Sequence, residues 1–244
     1  MLSVSLVRNT PRLQEVAAFY TLIGLKQHTS GERIVHLAAD GGALLVHECT
    51  GVSTELGLHC ADVTAAAEHL TAVGFDVEVW DEAYGRHAAI VTPLQAGVWV
   101  TEAMSDPYGY RVHVPEESEY RCEVCAIYYS ADFDRDREFF NRLGFHTIGQ
   151  AYDCWEELAG GPGCGSIGLH GGEDQAGITP SSDPLTRTSA AAWVSIQTTE
   201  QLSALAERLS AAGYLAEVVT DDAATKVHVT DPDGCRLEIH PLQR

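Results

Sequence analysis

The sequence predicts an α+β protein made of four consecutive βαβββ modules. A helix-like segment with one apolar face ends near a glycine four times along the chain, at Gly24, Gly74, Gly144 and Gly213. Each of these segments follows a short apolar run with strand character, and further strand-like runs come after it. A fixed order of elements that recurs along a chain indicates a repeat architecture.

The first two modules are predicted over residues 1–52 and 53–114. Module one begins with a strand at Val4–Val7, has Thr10 as a candidate N-cap, and closes with a strand at Ala43–His47. Module two begins at Leu56–His59, and Asp62 is its candidate N-cap. Its later strands are predicted at residues 77–80, 87–91, 98–101 and 110–114.

The other two modules are predicted over residues 122–172 and 190–244. Module three has a strand at Val124–Ile127, Asp132 as N-cap, and a last strand at Ile167–His170. The strands of module four are predicted at residues 193–196, 216–219, 226–229 and 236–239. The closing hairpins of modules two and four are predicted at Asp106-Pro107-Tyr108-Gly109 and Asp231-Pro232-Asp233-Gly234, because both are tight-turn sequences followed by a short strand.

Two domains follow from this division. Modules one and two make domain one (1–114), and modules three and four make domain two (122–244). The short, acidic, aperiodic segment 115–121 is predicted to be the linker. Residues 173–189 are rich in Gly, Asp, Pro, Ser and Thr, which indicates a long loop: either a lid over a site or a surface insertion.

Composition narrows the possible partners and the location. With 15 basic and 35 acidic residues the formal charge is -20, which repels phosphate backbones and anionic membrane surfaces. Neither a signal-peptide pattern nor a run of 18 apolar residues is present, and seven scattered cysteines do not suggest a disulfide framework. We therefore expect a cytoplasmic protein that binds a small molecule, without nucleic acid or membrane, as a monomer or homodimer.

Three segments carry a resemblance to a known family: Phe19–Leu25, Phe139–Phe145 and Asp231–Glu238. Together with the module order, they resemble the vicinal oxygen chelate superfamily, which includes glyoxalases, bleomycin resistance proteins and extradiol dioxygenases. The resemblance implies that each domain is a curved mixed sheet folded around a ligand cup. In the family's enzymes the cup holds a divalent metal, whose ligands come from the first and last strands of the modules.

The resemblance places candidate metal ligands on those strands. In domain one they are His47, Glu55 and His113, with Ser5 in the fourth place. In domain two they are His170 and Glu238, with Cys125 possible and Trp193 unable to coordinate. Two imidazoles and a carboxylate suit Fe, Mn, Zn, Ni or Co, although a cup without metal remains the alternative. A register slip of one residue would exchange these donors for Glu48 and Glu102.

Candidate ligand-binding residues complete the sequence-based site: Tyr84, Arg86, His87, Tyr129 and Trp193. Arginine favours an anionic or carbonyl group, and aromatic rings offer stacking surfaces to a flat ligand. Two functions are compatible with these residues. The first is a metal-dependent enzyme of the dioxygenase, lyase or isomerase type that acts on an aromatic or polycyclic molecule. The second is a metal-independent binding protein with a resistance or sequestration role.

Overall fold

The computed structural model of the chain describes residues 1–82, 85–103, 109–114, 121–171, 178–180, 188–221 and 224–242. The backbone alone is described for 178–180 and 188. Tyr84, the predicted hairpin residues 106–108 and nearly all of the predicted linker lie outside the described residues.

Domain one is a mixed sheet with two helices on one of its faces. Module one comprises β1 (Ser3–Thr10), α1 (Leu13–Ile23), β2 (Lys26–Ser30), β3 (Ile34–Ala38) and β4 (Ala43–Glu48). Module two comprises β5 (Ser53–Glu55), β6 (Gly57–Cys60), α2 (Val63–Ala72), β7 (Glu78–Glu82), β8 (Gly85–Val91), β9 (Gly97–Glu102) and β10 (Arg111–Val112).

Domain two repeats this arrangement around a second sheet. Module three comprises β11 (Cys122–Ser130), α3 (Phe133–Arg142), β12 (His146–Tyr152), β13 (Trp155–Ala159) and β14 (Ser166–Gly171). Two short strands follow, β15 (Ile178–Pro180) and β16 (Thr188–Ala190). Module four comprises β17 (Trp193–Thr198), α4 (Leu202–Ala211), β18 (Ala216–Thr220), β19 (Thr225–Thr230) and β20 (Arg236–Pro241).

Strand pairing confirms the predicted four-module fold. In each domain the first strands of the two modules lie antiparallel at the centre, β1 with β6 and β11 with β17. Each of these strands also pairs in parallel with the last sheet strand of its own module, namely β4, β9, β14 or β20. The two sheets are curved and do not close into barrels. Of the described helices, none has the length and apolar character needed to cross a membrane.

Local signals set the helix ends. The Asp62 and Asp132 side chains accept hydrogen bonds from the backbone N–H of Ala65 and Arg135, each at 3.1 Å, which satisfies a donor that the helix itself leaves unpaired. These two predicted caps are confirmed. The α1 N-cap prediction was wrong, because the cap position is Arg12 and Thr10 accepts a hydrogen bond from the Arg12 N–H. At the other end of the helices, Gly74 has a φ of 89°, a left-handed conformation that favours glycine.

The buried apolar residues of both domains form one continuous core, and polar contacts fix the two domains to each other. Arg8 in β1 is 3% exposed and forms salt bridges of 2.7 Å to Asp231 and 2.8 Å to Asp233 in domain two. The rings of Phe19 and Tyr214 meet edge to face across the same interface, 4.9 Å apart. The domains are therefore packed against each other through a buried ion-pair cluster and an aromatic contact.

The closing hairpin of module two differs from the prediction. The strand that corresponds to β20 is β9, which follows a turn at Thr92–Gly97 in which Gln95 has a φ of 62°. The strand after Gly109 is β10, and it pairs with Thr29 and Ser30 of β2 at the opposite edge of the sheet. The alignment of His113 with Glu238 was therefore wrong, and Trp99 occupies the position that corresponds to Glu238.

Part of the predicted loop 173–189 belongs to the sheet of domain one. β16 pairs with β15, and Ser189 of β16 pairs with Gly97 of β9. An isolated bridge between Glu55 and Ala191 continues this contact. A segment that follows module three along the chain thus extends the sheet of modules one and two.

Candidate functional site

The cup face of each sheet is the face opposite the helices. In β11, Val124, Ala126 and Tyr128 are buried against the helix side, and the Tyr128 ring contacts Phe140 of α3 at 5.3 Å. Because side chains alternate along a strand, Cys125 and Tyr129 point to the cup side. The same alternation places Glu238 on the cup face of β20, between the buried Leu237 and Ile239.

Glu238 is the centre of a charged cluster in the domain-two cup. Its carboxylate lies 3.1 Å from the Lys226 Nζ, 3.0 Å from the His228 Nε2 and 3.4 Å from the His240 Nε2. The hydrogen bond with His240, together with that from Lys226, lowers the pKa of Glu238 to about 2, against the opposing effect of partial burial. The carboxylate is thus ionised at neutral pH and surrounded by cationic or potentially cationic groups.

Lys226 is the fixed cation of this cluster. Burial alone favours its neutral form, but hydrogen bonds to Asp221 and Glu238 outweigh burial and raise the pKa of Lys226. Its ammonium lies 3.0 Å from Asp221 and 3.1 Å from Glu238, and only 11% of the side chain is exposed. The Lys226 ammonium therefore already provides a counter-charge for the Glu238 carboxylate.

Aromatic side chains line the other part of the same cup. The Tyr129 ring lies 5.1 Å from His170 and 6.2 Å from Trp193, and Trp155 lies 6.2 Å from His170. The Trp155 indole covers Gly168, where an added Cβ would come within 2.2 Å of the ring, so only glycine leaves room for it. Burial and the nearby charge of Glu238 raise the pKa of Tyr129, which indicates that the aromatic and charged clusters adjoin.

In the domain-one cup, Glu55 is held by neutral hydrogen-bond donors. Its side chain is completely buried and accepts hydrogen bonds from the Asn9 amide at 2.6 Å and the Trp99 indole at 3.3 Å. His47 lies 3.1 Å from the other end of the Asn9 amide, and Trp99 also donates to Ser189. Two of the predicted domain-one residues, His47 and Glu55, are therefore connected through Asn9.

His113 lies in a different environment. Its Nε2 is 2.8 Å from the Ser30 hydroxyl and 3.2 Å from the Gln27 amide, both on β2, and its backbone N–H donates to His28. The structure thus connects His113 to β2, whereas His47 and Glu55 are joined through β1.

Arg86 and His87 point to opposite faces of β8. Arg86 forms an exposed salt bridge of 2.7 Å with Asp81 and donates to Thr64 of α2, which places it on the helix side. His87 lies on the cup side, with its ring 5.8 Å from Trp80. Of this predicted pair, only His87 faces the cup.

Sequence reasoning missed a group of histidines in the domain-one cup. The rings of His28 and His36 meet edge to face at 5.6 Å. Burial, reinforced by the positive charge that His28 and His59 acquire on protonation, lowers the pKa of His36 to about 4. His36 is therefore a neutral imidazole at physiological pH.

A comparison with protein-family models finds one match. Residues 124–239, which lie in modules three and four, match the model of the Glyoxalase/Bleomycin resistance protein/Dioxygenase superfamily. This part of the chain is therefore similar to that superfamily. A search of curated proteins finds no match for the sequence.

Solved structures of 2,3-dioxygenases share the fold over the whole chain. A catechol 2,3-dioxygenase aligns with a TM-score of 0.67 at 12% identity, covering 100% of this chain and 90% of that one. The 2,3-dioxygenase LapB from Pseudomonas sp. KL28 gives 0.64 at 12% identity, with coverages of 99% and 91%. Homoprotocatechuate 2,3-dioxygenase from Brevibacterium fuscum, in complex with 3,4-dihydroxyphenylacetate, gives 0.63 at 14% identity, with coverages of 99% and 80%.

The divalent metal of the superfamily's enzymes does not fit the described donors. No three His, Cys, Asp or Glu side chains among the described residues are arranged to hold a metal ion. In domain two, Trp193 has no atom that coordinates a metal, and Lys226 already neutralises Glu238. In domain one, the superfamily's last-strand carboxylate position holds Trp99, whose indole N–H is a hydrogen-bond donor.

Proposed function

We propose that this protein is a metal-independent binding protein for a planar aromatic small molecule, which it holds in the cup of domain two. The observation that carries the proposal is the combination of an aromatic wall with an internal ion pair at a superfamily metal-ligand position. Trp193, Tyr129 and Glu238 lie on one cup face, and Glu238 is paired with Lys226. The pair supplies fixed charges without a metal.

The aromatic wall provides the apolar part of the binding energy. Trp193 is 46% exposed, although a large indole is normally well buried, so part of its surface is available to a ligand. Tyr129 and Trp193 meet at 77°, an arrangement in which a flat ligand stacks on one ring and touches the edge of the other. The related Brevibacterium fuscum enzyme also binds a single-ring aromatic molecule, 3,4-dihydroxyphenylacetate.

The charged cluster orients the polar edge of the ligand. His228 Nε2 is buried and, although it is 3.0 Å from Glu238, makes no aligned hydrogen bond. His240 and Arg236 add donors at the more exposed side of Glu238. A ligand hydroxyl can therefore donate to the carboxylate and accept from His240 or Arg236, which favours phenolic rings over hydrocarbons.

Ligand binding in the presence of a chelator tests this function. A panel of single-ring and fused-ring phenols is added to the protein in EDTA, and the thermal unfolding temperature is measured. We expect at least one phenol to stabilise the protein, by about 3 kcal/mol at a hundredfold excess over its Kd. Trp193→Ala should abolish the shift and Glu238→Gln should reduce it, whereas Trp80→Ala in the domain-one cup serves as the matched control and should retain it.

The metal-dependent enzyme predicted from the sequence leads to a different result. In that case, protein purified without chelator contains a stoichiometric divalent ion that Glu55→Ala or His113→Ala removes, and phenols stabilise only the metal-loaded protein. That outcome would overturn the proposal and support the dioxygenase, lyase or isomerase class.

A further inference from the structure

A cavity of about 220 Å³ lies between the two domains, at the edge of the domain-two cup. Its walls come from the ends of β1 and β5 in domain one and of β17 and β20 in domain two, and it shares Trp193 and Arg236 with the domain-two cup. For comparison, an engineered apolar cavity of about 150 Å³ binds benzene. The interdomain cavity therefore has room for one substituted ring.

One wall of the cavity is polar and rigid. Arg8 is 3% exposed and fixed by Asp231 and Asp233 at 2.7 and 2.8 Å. Asp231 is itself fixed, because its Oδ1 accepts hydrogen bonds from the backbone N–H of Asp233 and Cys235. In this cluster two carboxylates outnumber one guanidinium, so the cluster does not select an anion, and the other arginine of the lining, Arg236, is 68% exposed.

Tyr20 adds a phenol to the lining of the cavity. It is 2% exposed and lines the cavity, and its hydroxyl has no hydrogen-bond partner among the described residues. Burial raises the pKa of this phenol, which keeps it protonated and able to donate. An acceptor on a ligand in the cavity could therefore take a hydrogen bond from Tyr20.

The opposite wall is apolar. Ala191, Ala192 and Leu237 face the cavity, and the Trp193 indole stands beside them. Small side chains at two consecutive positions leave the space that a ring would fill.

We propose that this interdomain cavity is a second binding site, for a neutral single-ring phenol whose oxygen accepts a hydrogen bond from Tyr20. The site does not depend on the function proposed for the domain-two cup.

The experiment uses 4-fluorophenol and the full-length protein in EDTA, with binding followed by ¹⁹F NMR. We expect wild-type protein to bind the probe and Ala191→Leu, which fills the cavity, to weaken binding by at least about tenfold. Tyr20→Phe, which keeps the ring and removes only the hydroxyl, should weaken binding about fivefold. Trp155→Phe alters the domain-two cup alone and should leave the cavity affinity unchanged.

Two results would overturn the inference. The first is equal affinity in wild type, Ala191→Leu and Tyr20→Phe, or no binding at millimolar probe. The second is a loss of binding in Trp155→Phe or Glu238→Gln with retention in Tyr20→Phe, which would place the phenol in the cup and support only the proposed function. If Ala191→Leu fails to fold, Tyr20→Phe alone decides, because it adds no atom.

Discussion

The two cups are built from equivalent pairs of modules, but the carboxylates in them have different partners. In domain one, Glu55 is fully buried and held by the neutral donors of Asn9 and Trp99. In domain two, the Glu238 side chain is 30% exposed and paired with Lys226 and His240. The Glu55 carboxylate is therefore enclosed by hydrogen bonds within the protein, whereas the charged Glu238 carboxylate is partly exposed to solvent. The same scaffold therefore supports two different environments for a carboxylate.

The largest effect is expected where the two domains meet. Arg8→Ala leaves Asp231 and Asp233 buried without their cation, which should lower the free energy of unfolding by about 3–5 kcal/mol. Urea denaturation measures the change. Arg33→Ala is the matched control, since Arg33 forms an exposed pair with Glu48 at 3.3 Å and its loss should cost less than about 1 kcal/mol. Equal losses in the two variants would show that the Arg8 contact does not join the domains.

A direct test of the comparison removes each carboxylate in turn. Glu55→Ala leaves the donors of Asn9 and Trp99 without their acceptor in a buried site, and should lower the free energy of unfolding by about 3 kcal/mol. Glu238→Ala removes a partly exposed charge and should cost less than about 1 kcal/mol. If chemical denaturation instead showed the larger loss of stability in Glu238→Ala, the domain-two cluster rather than the domain-one network would be the one that stabilises the fold.

A further test of the comparison is the pH dependence of stability in each cup. The folded-state pKa of His36, about 4, lies below its usual value, so the unfolded chain takes up this proton first as the pH falls. The stability that neutral His36 contributes is complete above about pH 6.5 and lost as the pH falls toward 4, by about 3 kcal/mol. His36→Gln should flatten the curve of unfolding free energy against pH in this window.

Glu238 provides the corresponding test at lower pH. Its folded-state pKa of about 2 also lies below the usual value, so its contribution is present above about pH 4.5 and lost as the pH falls toward 2. Glu238→Gln should change the curve only there. If either variant altered the other window, the two cups would titrate as one coupled system.

Local sequence signals predicted the modules, but they could not predict every register. Apolar periodicity and the helix-ending glycines are properties of short segments, and the positive φ of Gly74 and Gly144 agrees with them. The Thr92–Gly97 turn was missed because Gln95 adopts a left-handed conformation there, while Asp106–Gly109 has the stronger turn composition. One misplaced hairpin then placed His113 among the candidate ligands.

The site was harder to predict because its contacts join distant strands. His28, His36 and His59 come from three different strands, and β2 carries an irregularity between Gln27 and Thr29 that shifts its side-chain alternation. Glu238 was found because its turn and strand are local, but its partner Lys226 was not, since only the β19–β20 register brings the two together.

Contacts of residues 189–192 with domain one make the first half of the chain dependent on the second. Without these residues, the Leu56 N–H and the Thr54 carbonyl would lose their backbone partners Ala190 and Ala192, and Trp99 would lose its contact with Ser189. A polypeptide that stops at residue 121 therefore exposes unpaired backbone groups at β5, and we expect it to associate with other copies of itself more strongly than the intact chain does.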